Sequence, residues 1–307
     1  MKISIQTGDI VDRLGLEKGY AAIKAAGFDA VDWNLDHAWK AADLRAGTHL
    51  GKCIFEKPLD EVIKHYEYEL NLIKENGLEI TQAHAPFPAC MDNKPEMLDY
   101  AIEVYKRNIE YCSYAGCKNL VIHGNSYKLG DKFPKEVIDE MNRKLYTSLI
   151  PTLLENNVTV CLENLFSSQR GVCYQGHCAI PEEAKKEIDK LNALAGKEVF
   201  GFCLDTGHAN LLHHDIRSYI LTLGKRIKCL HIHDNNGQGD QHMAPLTGTL
   251  DWENFCTAMN EIGYDGDLSF ETFNQTNLVM NFDEELVYPW MKLIFETGNC
   301  FKKRIEK

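Results

Sequence analysis

Eight short apolar runs recur along the chain, and longer stretches with helical spacing separate most of them. That alternation constrains the fold strongly, because parallel strands need long crossovers, usually helical, to join them. The runs are Ile3 to Thr7, Phe28 to Leu35, Leu78 to Ala83, Asn119 to His123, Asn157 to Glu163, Val199 to Asp205, Ile227 to Ile232 and Asp267 to Thr272. The spacing predicts helices over Leu16 to Ala26 (closed by Gly27), Leu59 to Glu75, a stretch reaching Tyr114, Lys135 to Glu155, a stretch starting near Pro181, and Phe282 to Phe301. Residues 36–57 read as an inserted loop and Phe166 to Ala179 as a polar loop. No linker or composition break divides residues 1–307, so one domain is expected. Eight such units close most simply into a single (β/α)8 TIM barrel of the α/β class. An open doubly wound sheet would use fewer strands and a glycine-rich phosphate turn, and Gln6-Thr7-Gly8-Asp9 is not one.

Apolar content of 44% and charged content of 25% are those of an ordinary globular protein. No apolar run approaches the ~20 residues of a membrane span. The sequence opens directly on a strand, which leads us to expect a cytoplasmic protein without membrane partners. The eleven cysteines are odd in number and include no C-x-x-C pair, so a disulfide framework is not expected. Cys173, His177 and Cys178 come nearest to a zinc cluster, but no fourth ligand stands at usable spacing. Free thiols are the reading preferred there. The net charge of −12 disfavours broad contact with nucleic acid and suits a cation in an active site.

Barrel enzymes carry their chemistry at the C-terminal strand ends. Here His84, His123, Glu163, Asp205, His231 and Glu271 stand at or near that end of six successive strands, with His208 on the turn after Asp205. Each follows an apolar run and would be buried, where an uncompensated polar group is costly. Two Glu and one Asp converging alone would repel, and a divalent cation relieves that repulsion. Two Glu, one Asp and one His suit Mn²⁺, with Zn²⁺, Co²⁺ or Mg²⁺ as alternatives.

The runs Leu-Asp-Thr-Gly-His-Ala-Asn (204–210), His-Ile-His-Asp-Asn-Asn-Gly (231–237) and Asp-Gln-His-Met-Ala-Pro-Leu-Thr-Gly-Thr-Leu-Asp-Trp (240–252) are similar to the xylose-isomerase-like barrel superfamily. That superfamily includes sugar and sugar-phosphate isomerases and epimerases, inosose-processing enzymes and, more distantly, endonuclease IV. The resemblance spans His84 to Glu271. It implies one divalent metal held by Glu163, Asp205, His231 and Glu271, a substrate contact by His208, and His84 and His123 lining the same pocket. Asp240 and His242 match an Asp-x-His element, and His233 shares a strand face with His231 by the period of two.

A ketose is the implied substrate. Its carbonyl and a neighbouring hydroxyl would meet the metal, stabilising the enediolate as Glu163 and Glu271 move the proton between faces. Alternatively the two glutamates are ligands only and His208 moves the proton. Dehydration of an inosose or cleavage of a C-glycoside would use the same enolising chemistry. Ketose 3-epimerases usually place an arginine shortly after the strand-seven histidine, and residues 234–238 have none, so Arg170 in the loop 167–171 is the candidate substitute. Trp33, with His37 and Trp39 nearby, is a candidate to stack on a sugar face, the alternative being ordinary core. The rival is a trinuclear-zinc phosphodiesterase acting on abasic DNA, for which nine ligand types are present: His84, His123, Glu163, Asp205, His208, His231, Asp240, His242 and Glu271. The post-strand loops hold few Arg or Lys to grip a duplex. A non-catalytic sugar-binding barrel would leave the paired glutamates unexplained. No phosphate-binding loop stands out near strands seven and eight, which favours an unphosphorylated carbohydrate. A homo-oligomer is compatible with all of this.

Overall fold

The computed structural model describes residues 1–35 and 38–307, so His37 lies outside the described residues. Among the described residues there are ten strands: β1 (Ile3–Gln6), β2 (Ala30–Asn34), β3 (Glu79–His84), β4 (Asn119–Val121), β5 (Thr159–Glu163), β6 (Phe166–Gln169), β7 (Val172–Gln175), β8 (Phe200–Asp205), β9 (Ile227–His231) and β10 (Leu268–Phe270). Eight of them form one sheet in the order β10-β1-β2-β3-β4-β5-β8-β9, with helices between successive strands, and the fold class is a (β/α)8 barrel. None of the described helices is long and apolar enough to cross a membrane.

The chain packs as two compact units, residues 1–33 with 71–81 and 203–307, and residues 34–70 with 82–202. In the first, β1 runs parallel to both β10 and β2, pairing Ile3 with Leu268 and Gln6 with Asp32. β9 reaches β10 just beyond its own end, where the Ile232 N–H donates to Ser269 O at 2.8 Å and the Glu271 N–H to Ile232 O at 3.1 Å. The eighth expected strand is therefore shorter than Asp267 to Thr272, and Glu271 stands immediately past it. In the second unit β3, β4 and β5 are parallel, with His84 opposite Val121 and Val121 opposite Cys161.

Three sequence expectations are corrected. The polar loop after β5 holds an antiparallel hairpin, β6 with β7, turning at Arg170-Gly171 with φ of 52° and 79°. Two successive positive φ values are those of a type I′ turn, but Arg-Gly announces it far less clearly than Asn-Gly would. The insertion 36–57 contains a short helix, Ala41–Ala46, and a 3₁₀ turn, Ile54–Glu56. The last expected helix, Phe282 to Phe301, starts later: a separate helix, Phe273–Phe282, stops at Asp283, whose carboxylate accepts from the Glu285 N–H at 3.0 Å, and Val287–Ile305 follows. The helix from Lys135 runs to Asn156 and ends on Asn157 at φ 53°, a left-handed conformation that asparagine tolerates well.

None of the eleven cysteines is in a disulfide. Trp33 is 1% exposed and sits one residue from Asp32 on β2, so by the alternation of a strand it faces the opposite side. Trp39 is also buried; its Nε1 donates to Phe87 O at 3.0 Å and its ring stacks on Tyr100.

Candidate active site

Two groups of chemically active side chains form, one inside each unit. The first gathers Asp32, Asp205, His208, His231, His233, Asp240, His242 and Glu271. Asp205 ends β8 and caps the helix Thr206–Leu211, so its Oδ1 accepts the His208 N–H at 2.6 Å. Its Oδ2 lies 2.9 Å from His233 Nε2. The sequence Asp-Thr-Gly-His serves both bonds. Thr206 donates its hydroxyl to His233 O at 2.7 Å, and a β-carbon on Gly207 would lie 1.9 Å from the His233 ring. Only glycine leaves room for that imidazole.

His231 turns Nε2 towards Asp32 Oδ2 at 3.3 Å and Nδ1 towards Glu271 Oε2 at 3.8 Å. Glu271 Oε2 is also 3.6 Å from His242 Nδ1, and His242 stacks on His233 with centroids 3.9 Å apart and planes 13° from parallel. His242 Nε2 lies 3.1 Å from Asp240 Oδ2, with His208 Nε2 3.7 Å from the same oxygen. Burial alone would raise the Asp240 carboxyl, but the two imidazoles hold it well below the usual carboxylate range. Burial lowers His242, and Asp240, Glu271 and Asp205 more than offset this, raising it overall.

The Asp-x-His element is held by a clasp absent from the sequence reading. Asp234 is fully buried and accepts four hydrogen bonds, from the Asn235, Gly248 and Leu250 N–H groups and from Trp252 Nε1 at 2.9–3.2 Å. Asp234 and Met243 also exchange backbone hydrogen bonds. The loop between them is closed at its base, which fixes Asp240 and His242.

Asp32 was also missed, although its signal was available: a carboxylate set between Val31 and Trp33 in the second run. It is fully buried on β2, two residues short of the strand end, whereas the other candidates stand at or beyond theirs.

The second group is His84, His123 and Glu163. His84 Nε2 lies 3.0 Å from His123 Nε2, which in turn lies 2.9 Å from Glu163 Oε2. His84 Nδ1 is 2.8 Å from Ala85 O, which makes that nitrogen the donor and leaves Nε2 as the acceptor. A cleft of about 350 Å³ opens beside His123, lined by Phe87, Asn125, Ser126, Ser167 and Ser168 among others. Phe87 is 43% exposed and rests against both histidine rings, an apolar wall facing hydrogen-bonding groups. Arg170 is exposed at the tip of the β6–β7 hairpin.

The donors of the first group fit a divalent cation. Four buried or partly buried carboxylates stand among four imidazoles, and both Asp240 Oδ1 and His233 Nδ1 are buried without a hydrogen-bond partner. Unpaired buried polar atoms are rare in a folded protein and call for an explanation. Triads of donor atoms within 4.8 Å of one another, Asp32–His231–Glu271 and His233–His242–Glu271, share Glu271.

Comparison with known proteins places this geometry in a family. Protein y4fM of Sinorhizobium fredii is 24% identical over 272 residues, covering 84% of this chain and 81% of its own. A ketose 3-epimerase of Arthrobacter globiformis is 36% identical over a 77-residue stretch, a quarter of each chain. The crystal structure of a D-tagatose 3-epimerase-like protein superposes with a TM-score of 0.67 at 22% identity, over 97% of this chain and 99% of its own. A family model described as xylose isomerase-like TIM barrel matches residues 20–294, and the chain belongs to that family.

Proposed function

We propose that the protein is a divalent-metal-dependent sugar isomerase or epimerase that moves the proton on a carbon next to the carbonyl of a ketose-like polyol. The observation that carries the reading is Glu271. Its carboxylate stands just past a barrel strand, is 8% exposed, and faces an imidazole on either side, His231 and His242. A carboxylate held at the end of a barrel strand, where such folds carry their chemistry, can serve as a general base. The likeness to sugar 3-epimerases supports the substrate class.

Asp205, His231 and Glu271 of the first group are the proposed cation ligands, with Mn²⁺ ahead of Zn²⁺, Co²⁺ and Mg²⁺. A cation bound there supplies Lewis-acid polarisation of the substrate carbonyl. The side chains do the rest. Glu271 takes the proton from the carbon, and the electron pair left behind enters the carbonyl to give an enediolate. A second carboxylic acid, for which the family resemblance implies Glu163, is proposed to give its own proton to the other face, forming the epimer and leaving that acid ionised. His208, His233, Asp240 and His242 hold sugar hydroxyls, and His84 and His123 do the same beside their own cleft. Glu271→Gln keeps the shape and removes the base. The expected result is native circular dichroism with exchange of the substrate proton into solvent slowed by about 10²–10⁴-fold. Exchange at the original rate would overturn the assignment.

A further inference from the structure

Away from these strand-end groups, a third cluster joins the β6–β7 hairpin to the helix that follows it. His177 and Cys178 lie two and three residues past β7, and Glu187 is on the helix Pro181–Ala195. His177 Nε2 is 3.3 Å from each oxygen of the Glu187 carboxylate. Cys178 Sγ is 3.6 Å from His177 Nε2 and 3.8 Å from Glu187 Oε2. Cys173, which the sequence grouped with these residues, sits on β7 opposite Ser168 and is not in the cluster; Glu187 is the third donor in its place.

We propose that His177, Cys178 and Glu187 form a zinc site, distinct from the proposed catalytic centre, that ties the hairpin exit to the helix. The first support is metric. A tetrahedral Zn²⁺ binds nitrogen and oxygen at about 2.0–2.1 Å and thiolate at about 2.3 Å, which sets its ligand atoms about 3.3–3.6 Å apart. The three separations observed match that triangle within a few tenths of an ångström. The second is chemical. One thiolate, one imidazole and one carboxylate make a borderline-soft set that favours zinc over magnesium or calcium.

The third support is the way the surroundings aim the donors. The His177 ring stacks on Tyr146 at 5.8 Å and 21° and lies so close to Gly124 that a β-carbon there would be 2.5 Å from Nδ1. Nδ1 is buried without a hydrogen-bond partner, so Nε2 is the ring's polar outlet, and it points at the other two donors. The His177 N–H is pinned by Ser126 Oγ at 2.9 Å. Cys178 adopts φ 56°, a left-handed conformation that residues with a β-carbon seldom take, and in doing so brings its thiol to the imidazole. The Glu187 side chain is 32% exposed and gives an ion a way in, leaving a fourth position for water.

The test uses cobalt as the probe, because a thiolate bound to Co²⁺ gives a charge-transfer absorption that oxygen and nitrogen ligands do not. The reduced, chelator-treated full chain is titrated with Co²⁺, alongside Cys178→Ser and Glu187→Gln. The expected result is a thiolate band that grows with added cobalt and levels off at the intensity of one cobalt–thiolate bond per chain in the wild type, whatever further cobalt the proposed catalytic site takes up. It should be absent in Cys178→Ser and at least tenfold weaker in affinity in Glu187→Gln, both with native circular dichroism. No thiolate band in the wild type overturns the proposal, as does a band that persists in a folded Cys178→Ser protein. Should that variant fail to fold, Glu187→Gln, at a half-buried position, decides alone: unchanged cobalt affinity overturns the site, and the tenfold loss supports it.

Discussion

Two residues show how tightly the first group is built. Gly207 lets the His233 ring reach Asp205, and the space a β-carbon would need is already filled by that ring. Gly207→Ala must push the imidazole off its carboxylate or move the helix behind it. Overpacking of this kind typically costs about 1–3 kcal/mol. The expected outcome is a stability loss in that range by urea unfolding, together with a fall in activity larger than the stability loss explains. A variant with wild-type stability and activity would show that His233 is not confined as described. Asp32 teaches the complementary lesson. Its position between Val31 and Trp33 marks it, but a search confined to the last residue of each strand passes over it.

At the scale of elements, the loop after β9 depends on Asp234. Its carboxylate collects four donors from residues 235–252 in a fully buried setting, and the loop it closes carries Asp240 and His242. Asp234→Ala leaves the Gly248 and Leu250 amides and the Trp252 indole without an acceptor. The Leu250 amide and the Trp252 indole are buried, and each unsatisfied buried donor costs about 1–3 kcal/mol, so a loss of about 2 kcal/mol or more is expected in chemical denaturation. A loss below about 1 kcal/mol would mean that the loop is held by something else. The sequence displayed the strand ends because a charged residue closing an apolar run is a local signal. The clasp was not visible, since Asp234 and Trp252 are 18 residues apart and nothing local links them. The same holds for Glu187, which completes the thiol–imidazole cluster from the following helix. The helix Phe273–Phe282 was missed, and the last helix was started at Phe282 rather than Val287, because apolar residues stand on both sides of Asp283. The β6–β7 hairpin was missed because its strands are only four residues each and lack an Asn-Gly turn, which is also why Arg170 could not be placed beforehand.

At the scale of the molecule, the fold class followed from counting strand–helix alternations, and the family motifs at 204–210, 231–237 and 240–252 pointed to the family that residues 20–294 match. Substrate choice is less legible. In the proposed reading it rests on the sugar hydroxyls assigned to His208, His233 and Asp240, and on clefts such as the one beside Phe87, whose walls come from loops, the variable part of a barrel scaffold. A net charge of −12 remains more compatible with a small polyol than with a nucleic-acid backbone. The central claim is that a cation-dependent proton transfer occurs at a sugar carbon. Its most direct test is solvent-deuterium incorporation, followed by NMR, across a panel of unphosphorylated ketoses. Wild-type protein would be assayed as purified, after chelation, and after reloading with Mn²⁺. The account expects deuterium at the carbon adjacent to the carbonyl of at least one ketose, lost on chelation and restored by the metal. No incorporation into any ketose by the metal-loaded protein, or incorporation that survives complete removal of metal, would contradict it.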